Sequence, residues 1–385
     1  MTDGLTRLQL LRRAATGGAF LTVPGVLAAC GGTTKKAAST SGGKTLAKTL
    51  RFSNWTLYID VNEKTKKHPT LEAFKQKTGT TVQYTEDIND NASYFGKIQG
   101  PLSRGQSIDR DIIVMTDNSR YPSLLIKKGW VEKLDKSAIP NIANLQSALQ
   151  HPNWDPNRDY SLPWQSGMTG IAFNDKLTDP VLTMSDLLEN KKLKGKVTLL
   201  NEMADTLSLV MLDNGDDPAK VTDATFDKAV KRIKAAVNSG QIRQFTGNDY
   251  SGPLSKGDLA AAMAWSGDVV QLQADNKHLH WNLPDAGGDI WTDNMLIPKG
   301  GNVFTASTYM NYVYSPKVAA LIEDYVNYIC PVKGAKEELQ KIDPAVAKNT
   351  LIFPTQKMLD NVHIIDAAAL SNQKYLTTWQ NLISG

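Results

Sequence analysis

IIVMTDN, at residues 112–118, is a run of four apolar residues followed by three polar ones. Such a short, uninterrupted apolar run is typical of a strand that is buried on both faces of a sheet. Two stretches of strand-forming residues precede it, LRF at 50–52 and TTVQY at 80–84. Helical patterns lie between these strands, the second of them around residues 93–104. This β-α-β-α-β order predicts an α/β fold with a mostly parallel sheet covered by helices.

The second half of the chain repeats this alternation. A polar stretch at residues 151–160 separates it from the first half. The strands predicted beyond that stretch are GIAF at 170–173, VTLL at 197–200 and AAMA at 261–264. An amphipathic helix lies among them, with apolar residues spaced by three or four from Phe226 to Val237. Because the same pattern occurs on both sides of the polar stretch, the sequence favours two lobes over one sheet.

The composition excludes several classes of protein. The 385 residues suit two domains of ordinary size or one large α/β unit. A hydrophobic fraction of 41% is enough to form cores and excludes global disorder. The 43 basic and 39 acidic residues give a formal charge of +4 with no strongly basic block, which argues against a dedicated nucleic-acid binder. Two cysteines, Cys30 and Cys330, supply neither a disulfide framework nor a cysteine-rich metal cluster.

The N-terminus has the pattern of a secretory signal. Three arginines lie within the first 13 residues, and the apolar stretch at 14–29 is too short to span a hydrocarbon core of about 30 Å. It ends in LAAC, which resembles the bacterial lipobox. We therefore predict that residues 1–29 are a signal peptide and that Cys30 is lipidated. A buried N-terminal helix with an incidental cysteine is the alternative, and paired arginines leave twin-arginine export open.

The segment at 30–45 is predicted to be a flexible linker behind the lipidated cysteine, because it is rich in Gly, Ser and Thr and has no large apolar residue after Cys30. Removal of residues 1–29 leaves 40 basic and 38 acidic residues and lowers the formal charge to +2. Cys330 then has no partner in its own chain, and we expect it to be a small buried residue.

Aromatic and acidic side chains recur where the predicted strands end. Ligands of open α/β sheets bind beyond the carboxyl ends of the strands. The residues at these positions are Trp55, Tyr58, Thr116, Asp117, Asn118, Glu202, Asp205, Trp265, Asp268, Trp291 and Asp293. Lys and Arg are absent from this set. An electronegative cleft with aromatic walls suits an organic cation, because aromatic faces attract ammonium groups and carboxylates form charge-assisted hydrogen bonds with them.

Each of these residues also has a purely structural interpretation. Glu202 and Asp205 could be acidic first-turn residues that the helix dipole favours. Asp268 could be an N-cap, and Trp265 or Trp291 alone could belong to the core. The combination of residues, rather than any one of them, indicates a binding cleft.

Four segments resemble the ligand motifs of spermidine/putrescine-binding proteins of bacterial ABC transporters: NWTLY at 54–58, EMAD at 202–205, AWSG at 264–267 and GGDIWTD at 287–293. The resemblance extends from about residue 48 to the C-terminus. It implies a two-lobed fold of the periplasmic-binding-protein type (type II). Each lobe would be a mostly parallel sheet flanked by helices, with the ligand cleft between the lobes.

Such a fold divides the chain where it crosses between the lobes. We expect the first part of lobe 1 at 46–158 and lobe 2 at 159–288. Residues 289–385 would return to lobe 1 and form the C-terminal helices. The resemblance places hinge strands near 157–166 and 284–296.

The resemblance also implies roles for individual residues. The predicted ligand-binding residues are Trp55, Thr56, Tyr58, Thr116, Glu202, Asp205, Trp265, Asp268, Trp291 and Asp293. The four aromatic side chains would pack against the methylenes and ammonium groups of a polyamine. Asp293 would bind a charged nitrogen in the middle or at one end of the ligand, and Glu202 and Asp205 would hold a terminal ammonium from the second lobe. Thr116 stands where the family has a hydroxyl residue.

Three features depart from the family pattern. Leu57 stands where the family has an acidic residue, and Asn118 stands where an aromatic residue is expected. The tyrosine and glutamine expected from the C-terminal third have no convincing counterpart, since the nearest segment is ICP at 329–331. These departures alter one end of the predicted pocket and leave the length of the ligand open.

Together these features predict an exported, monomeric substrate-binding lipoprotein of an ABC importer, anchored to the bacterial cell membrane through Cys30. It would capture putrescine or spermidine and deliver it to the permease subunits, without catalysis and without a cofactor, a metal or a nucleic acid as partner. A binding protein for another cation or small solute, such as a basic amino acid or a thiamine-like compound, is the alternative.

Two further classes remain less favoured. In a secreted hydrolase the two carboxylates flank a bond at about 5–9.5 Å from each other and usually come from different strands, whereas Glu202 and Asp205 are three residues apart on one helix. His278 and His280 would share one strand face, which leaves a metal site or a solvated face open. A purely structural lipoprotein would not need the predicted cleft.

Overall fold

The computed structural model of the protein describes residues 44–384. The predicted signal peptide, the predicted lipidation at Cys30 and nearly all of the predicted linker lie outside these residues. Within residues 44–384, no helix is both long enough and apolar enough to cross a membrane.

Strands and helices alternate along the chain, as predicted. The strands are β1 (Thr49–Trp55), β2 (Thr81–Ile88), β3 (Ile112–Thr116), β4 (Ser161–Asn174), β5 (Val197–Leu200), β6 (Ile242–Thr246), β7 (Ala261–Trp265), β8 (Leu279–Asn282), β9 (Gly288–Leu296) and β10 (Val362–His363). The helices are α1 (Pro69–Thr78), α2 (Asn91–Ser103), α3 (Tyr121–Lys127), α4 (Met184–Glu189), α5 (Met203–Asp213), α6 (Asp223–Asn238), α7 (Ser251–Lys256), α8 (Ser266–Asp275), α9 (Val303–Val313), α10 (Pro316–Val326), α11 (Ala335–Ile342), α12 (Gln356–Leu359) and α13 (Gln373–Ser384).

Ten strands form one hydrogen-bonded sheet in the order β2-β1-β3-β9-β4-β7-β5-β6, with β10 beside β9 and β8 beside β4. Strands β1, β2 and β3 are parallel in one half, and β5, β6 and β7 are parallel in the other. Strands β4 and β9 lie between these halves and are antiparallel to β7 and β3, respectively, and to each other. The predicted two-lobed α/β fold is confirmed, and two long strands join its lobes into one sheet.

The first of these connecting strands begins later than the predicted hinge at 157–166. Strand β4 starts at Ser161 because the preceding residues form a turn around a buried carboxylate. The side chain of Asp155 accepts hydrogen bonds from the backbone N–H groups of Asp159, Tyr160 and Ser161, at 2.9–3.1 Å. Side chains that bond the backbone locally in this way favour a turn over an extended strand. Strand β9 lies within the second predicted hinge.

The C-terminal segment covers both halves of the molecule. The Tyr312 hydroxyl of α9 donates to the backbone carbonyl of Thr70 in α1, which belongs to the first half. Helix α13 instead packs on the second half, where the ring of Tyr375 stacks on Phe226 of α6 at 4.0 Å. The lobe boundaries given above stay predictions. Within 289–385 the last helix lies against the second half, and so does the preceding segment, where the backbone N–H of Asp366 donates to the carbonyl of Pro218.

Candidate ligand-binding site

A cavity lies between the two halves of the sheet, with an empty volume of about 480 Å³ that includes space open to solvent. Its lining residues are Trp55, Thr56, Tyr58, Asn91, Thr116, Asn118, Glu202, Asp205, Asn248, Trp265, Asp268, Trp291, Asp293 and Tyr328. All ten predicted ligand-binding residues are in this set, whereas Asp117, which also follows a predicted strand, is not. The set contains four carboxylates, and neither Lys nor Arg is present among these described lining residues.

Strand ends bring these residues together. Trp55, Thr116 and Trp265 are the last residues of β1, β3 and β7, and Glu202 follows the end of β5 and precedes α5. Carboxyl ends of parallel strands meet at one edge of a sheet, so residues distant in sequence converge there. Asp293 comes from the middle of β9, where it pairs with Thr116 of β3.

Asp293 lies at the centre of the hydrogen bonding in the cavity. The Tyr58 hydroxyl donates to its Oδ2 and the Thr116 hydroxyl to its Oδ1, both at 2.8 Å. Burial raises the pKa of Asp293 to about 7, although these two bonds favour the ionised form. The neutral donors do not fully offset the cost of burying the negative charge of Asp293. A cation beside this carboxylate would lower its pKa and favour the ionised form.

The pKa of Glu202 is raised further than that of Asp293. Its Oε1 accepts hydrogen bonds from the backbone N–H and the side-chain amide of Asn91, at 3.1 and 3.2 Å. Burial, followed by the nearby charge of Asp205, raises the pKa of Glu202 to about 8. Since Asn91 begins α2 in the first half and Glu202 precedes α5 in the second, these bonds cross between the lobes.

Asp205 and Asp268 are held by more donors. Asp205 accepts from the hydroxyl of Thr169, from the indole N–H of Trp265 at 3.0 Å and from Asn118 at 3.3 Å. Burial nevertheless raises the pKa of Asp205. Asp268 accepts three further bonds, all at 2.8–2.9 Å, from the side chains of Asn248, Tyr250 and Tyr328.

Aromatic rings form the walls of the cavity. Trp265 and Trp291 meet nearly edge to face at 6.4 Å between centroids, and Trp291 contacts Tyr328 at 5.8 Å. Tyr58 packs edge to face against Tyr328 at 5.2 Å. Such a set of π-systems offers negative faces to a cation and apolar area to methylene groups. The arrangement suits a molecule that carries both.

The expectation that the C-terminal third supplies no cleft tyrosine was wrong. Tyr328 precedes the ICP segment by one residue, and the backbone of Ile329 pairs with Ser166 of β4 at 2.8 and 2.9 Å, which directs Tyr328 into the cavity. A Cβ atom at Gly267 would lie 2.3 Å from the Tyr328 ring, so the glycine makes room for it. This long-range packing leaves no signal in the local pattern.

Asn91 and Asn248 were also missed, because single asparagines resemble ordinary cap and loop residues. The purely structural interpretations of Glu202 and Asp268 are insufficient. Glu202 occupies the N-cap position of α5 without a side-chain capping bond, and Asp268 lies in the first turn of α8 rather than at its N-cap. Both side chains line the cavity.

The remaining candidates lie outside this site. His278 and His280 both bond the carboxylate of Asp175, at 2.8 and 2.7 Å. In the part of the chain that the structure describes, no group of three or more His, Cys, Asp or Glu residues is arranged to hold a metal ion. Cys330 is a free cysteine and buried, as its sequence context predicted.

The fold and the cavity define a solute-binding protein. The sequence profile of the bacterial extracellular solute-binding proteins matches residues 70–355, and the chain belongs to this family. The predicted resemblance is confirmed by its relatives. The spermidine/putrescine-binding periplasmic protein of Escherichia coli K12 is 24% identical over 340 residues, which cover 88% of this chain and 92% of that protein. The putrescine-binding periplasmic protein PotF of the same organism is 28% identical over 329 residues, covering 80% and 83%.

Solved structures share the fold. A putative spermidine/putrescine ABC transporter protein from Listeria monocytogenes superposes with a TM-score of 0.75 at 22% identity, covering 88% of this chain and 98% of that chain. The Atu4243 GABA receptor superposes with a TM-score of 0.66 at 20% identity, covering 87% and 96%. Because the same fold occurs in proteins with different ligands, the ligand has to be argued from the site.

Proposed function

We propose that this protein is the substrate-binding component of an ABC importer and that it captures a polyamine, putrescine or spermidine. The observation that carries this proposal is the set of four carboxylates in a cavity whose lining, within residues 44–384, includes neither Lys nor Arg. The names of its relatives, which are putrescine- and spermidine-binding proteins, support the same ligand class.

Buried negative charge is costly in this cavity. Moving a carboxylate out of water is unfavourable unless an opposite charge or several hydrogen bonds compensate it. The raised pKa values of Glu202 and Asp293 indicate that the neutral donors of the protein do not compensate it fully. Ammonium groups of a ligand would supply the missing charge, and a chain of methylenes between them would contact the aromatic walls.

Both halves of the molecule contribute to this cavity, so a ligand bound there contacts both. A ligand with such contacts favours the closed arrangement of the lobes over an open one. We propose that the closed protein presents the polyamine to the permease and that no bond is made or broken. Export, a monomeric state and anchoring through a lipidated Cys30 belong to this proposal, with more than one acyl chain expected because a single chain anchors only marginally.

A second candidate is a binding protein for another organic cation or small solute. The observation that favours it is Asn118, an amide in the cavity at a position where the polyamine-binding family has an aromatic residue. Leu57 also favours this second candidate, because it stands where an acidic residue is expected.

Isothermal titration calorimetry on the purified mature protein separates these candidates. Putrescine and spermidine are tested beside arginine, thiamine and an uncharged sugar. We expect saturable heat with at least one polyamine and none with the sugar. Tighter binding of arginine or thiamine would favour the second candidate, and binding of the sugar alone would contradict both.

A further inference from the structure

Asp289 is a buried acid beside the cavity that does not line it. It lies in β9, two residues before Trp291, and its side chain is fully buried. Its backbone pairs with Thr169 of β4 and with His363 of β10. Its Oδ2 accepts a hydrogen bond from the side-chain amide of Asn118 at 2.8 Å. Its Oδ1 is buried without a well-formed hydrogen bond among the described residues, and the Ser208 side chain is the neighbour that favours its ionised form.

A buried carboxyl group of this kind lowers the stability of the fold. Burial, followed by the charge of Asp205, raises the pKa of Asp289 well above its ordinary value. Buried polar atoms in folded proteins are nearly always bonded, and an apolar side chain of similar shape would avoid the penalty. A half-satisfied carboxyl group in a central strand therefore calls for a reason outside stability.

Asn118 connects Asp289 to the cavity. It follows β3 in the first half and lines the cavity, and its Nδ2 also donates to Asp205 Oδ2 at 3.3 Å. A primary amide has two N–H donors and one carbonyl acceptor. Because Nδ2 donates to the two carboxyl groups, the carbonyl oxygen is the Asn118 atom left for a ligand.

The orientation of this amide decides whether it attracts or repels a cation. A carbonyl oxygen accepts a hydrogen bond from an ammonium group, whereas an NH₂ group turned toward the same ammonium would present donors to a donor. Asp205 alone offers an acceptor for one amide hydrogen. Asp289 offers the second and fixes the amide from the side that faces away from the cavity.

We propose that Asp289 is a positioning residue for ligand binding: it holds the Asn118 amide with its NH₂ group toward the second lobe, so that the Asn118 carbonyl oxygen accepts a hydrogen bond from the ligand cation. This inference rests on the proposed binding of an organic cation. Asp289 itself does not touch the ligand.

The test compares two substitutions at Asp289, with putrescine affinity measured by calorimetry and thermal stability measured by differential scanning calorimetry. Asp289→Asn keeps an acceptor for Asn118, and we expect its affinity to stay within about threefold of the wild type, as one conserved neutral hydrogen bond implies. Asp289→Val removes the acceptor, and we expect at least roughly tenfold weaker binding. The midpoint temperature of thermal unfolding of Asp289→Val should equal or exceed that of the wild type, because the substitution removes a buried, incompletely bonded carboxyl group.

Two further variants serve as controls. Asp111 is a buried acid outside the cavity, and its carboxylate accepts from the backbone N–H groups of Arg51 and Asn302. Asp111→Asn should lower the midpoint and leave the affinity unchanged. Asn118→Ala should weaken binding by about the same factor as Asp289→Val, and the double variant should be no weaker than Asn118→Ala alone.

The outcomes separate the two proposals. If the wild type binds putrescine and Asp289→Val binds it with the same affinity, the positioning role is overturned and the proposed function is not. An Asp289→Asn variant as weak as Asp289→Val would also overturn the positioning role, because the charge rather than the amide orientation would then matter. If Asp289→Val does not fold, Asn118→Ala with wild-type affinity overturns the inference by itself. A wild-type protein that binds no organic cation contradicts the proposed function as well.

Discussion

The molecule contains two clusters of acidic side chains that differ in where their counter-charge comes from. On the outside of the second half, Arg232 of α6 donates to Asp213 at 2.6 Å, to Glu189 at 2.7 and 3.0 Å, and to the Ser185 hydroxyl at 2.7 Å. In the cavity, the hydrogen bonds that the described residues donate to the four carboxylates all come from neutral groups. The first cluster contains its own counter-charge, whereas the second receives none from residues 44–384.

This difference explains why one cluster is a structural feature and the other a candidate site. A guanidinium group with two acidic partners stabilises local packing and needs nothing from solution. Burial raises the pKa of Glu202 to about 8 and that of Asp293 to about 7, so these two carboxyl groups bind protons near neutral pH and release them when a positive ligand binds. The comparison can be tested by removing one acid from each cluster and by changing the pH.

The largest effect is expected for Asp293→Asn in the cavity. The substitution keeps the shape of the side chain and the possibility of bonds with Tyr58 and Thr116, but removes the charge. A hydrogen bond to a charged group contributes roughly 1.5–3 kcal/mol, so putrescine affinity should fall about 10- to 100-fold. Calorimetry provides the measurement, and thermal stability should not decrease. An affinity within about twofold of the wild type would show that Asp293 is not a central contact.

The next effect concerns pH and affinity. Burial raises the pKa of Asp293 to about 7 and that of Glu202 to about 8. Below these values the two groups hold protons that the ligand must displace, while alkyl ammonium groups stay charged because their pKa is about 10. Putrescine affinity should therefore rise at least about tenfold from pH 6.0 to pH 8.5, as linkage requires. A flat or inverted profile would contradict this mechanism, and Glu202→Gln should flatten the wild-type profile.

The smallest effect is expected in the outer cluster. Asp213→Asn removes the charge that faces Arg232, in a partly buried ion pair. We expect the free energy of unfolding to fall by about 1 kcal/mol, measured by urea denaturation, with putrescine affinity unchanged. Weaker ligand binding in this variant would show that the two clusters are not independent.

Much of the fold follows from local sequence patterns. The apolar run at 112–115, the strand-forming stretches before it and the helical spacing of apolar residues around Phe226 are local signals, and each of these predicted elements is present. The resemblance implied two connecting strands, but the expectation of two lobes rather than one sheet did not include the continuous sheet that β4 and β9 form through both lobes. Strand pairing depends on contacts between residues more than a hundred positions apart, such as Ser161 with Leu296, which a local pattern does not encode.

Some residues of the site could likewise be predicted from local sequence patterns, and others could not. Carboxylates and tryptophans at strand ends stand out because such residues are unusual after buried strands, and all ten predicted residues line the cavity. Asn91, Asn248 and Tyr328 gave no such signal. Tyr328 reaches the cavity through the pairing of Ile329 with Ser166 and through the space that Gly267 leaves, and both are properties of the folded chain.

A crystal structure of the protein with putrescine would test the proposed binding of a polyamine most directly. We predict one diamine in the cavity, with its ammonium nitrogens within hydrogen-bond distance of carboxylate oxygens that include those of Asp293. Its methylenes should lie against Trp265 or Trp291. Density for putrescine only outside the cavity, or a cavity that takes up an anion or an uncharged solute instead, would contradict the proposed function.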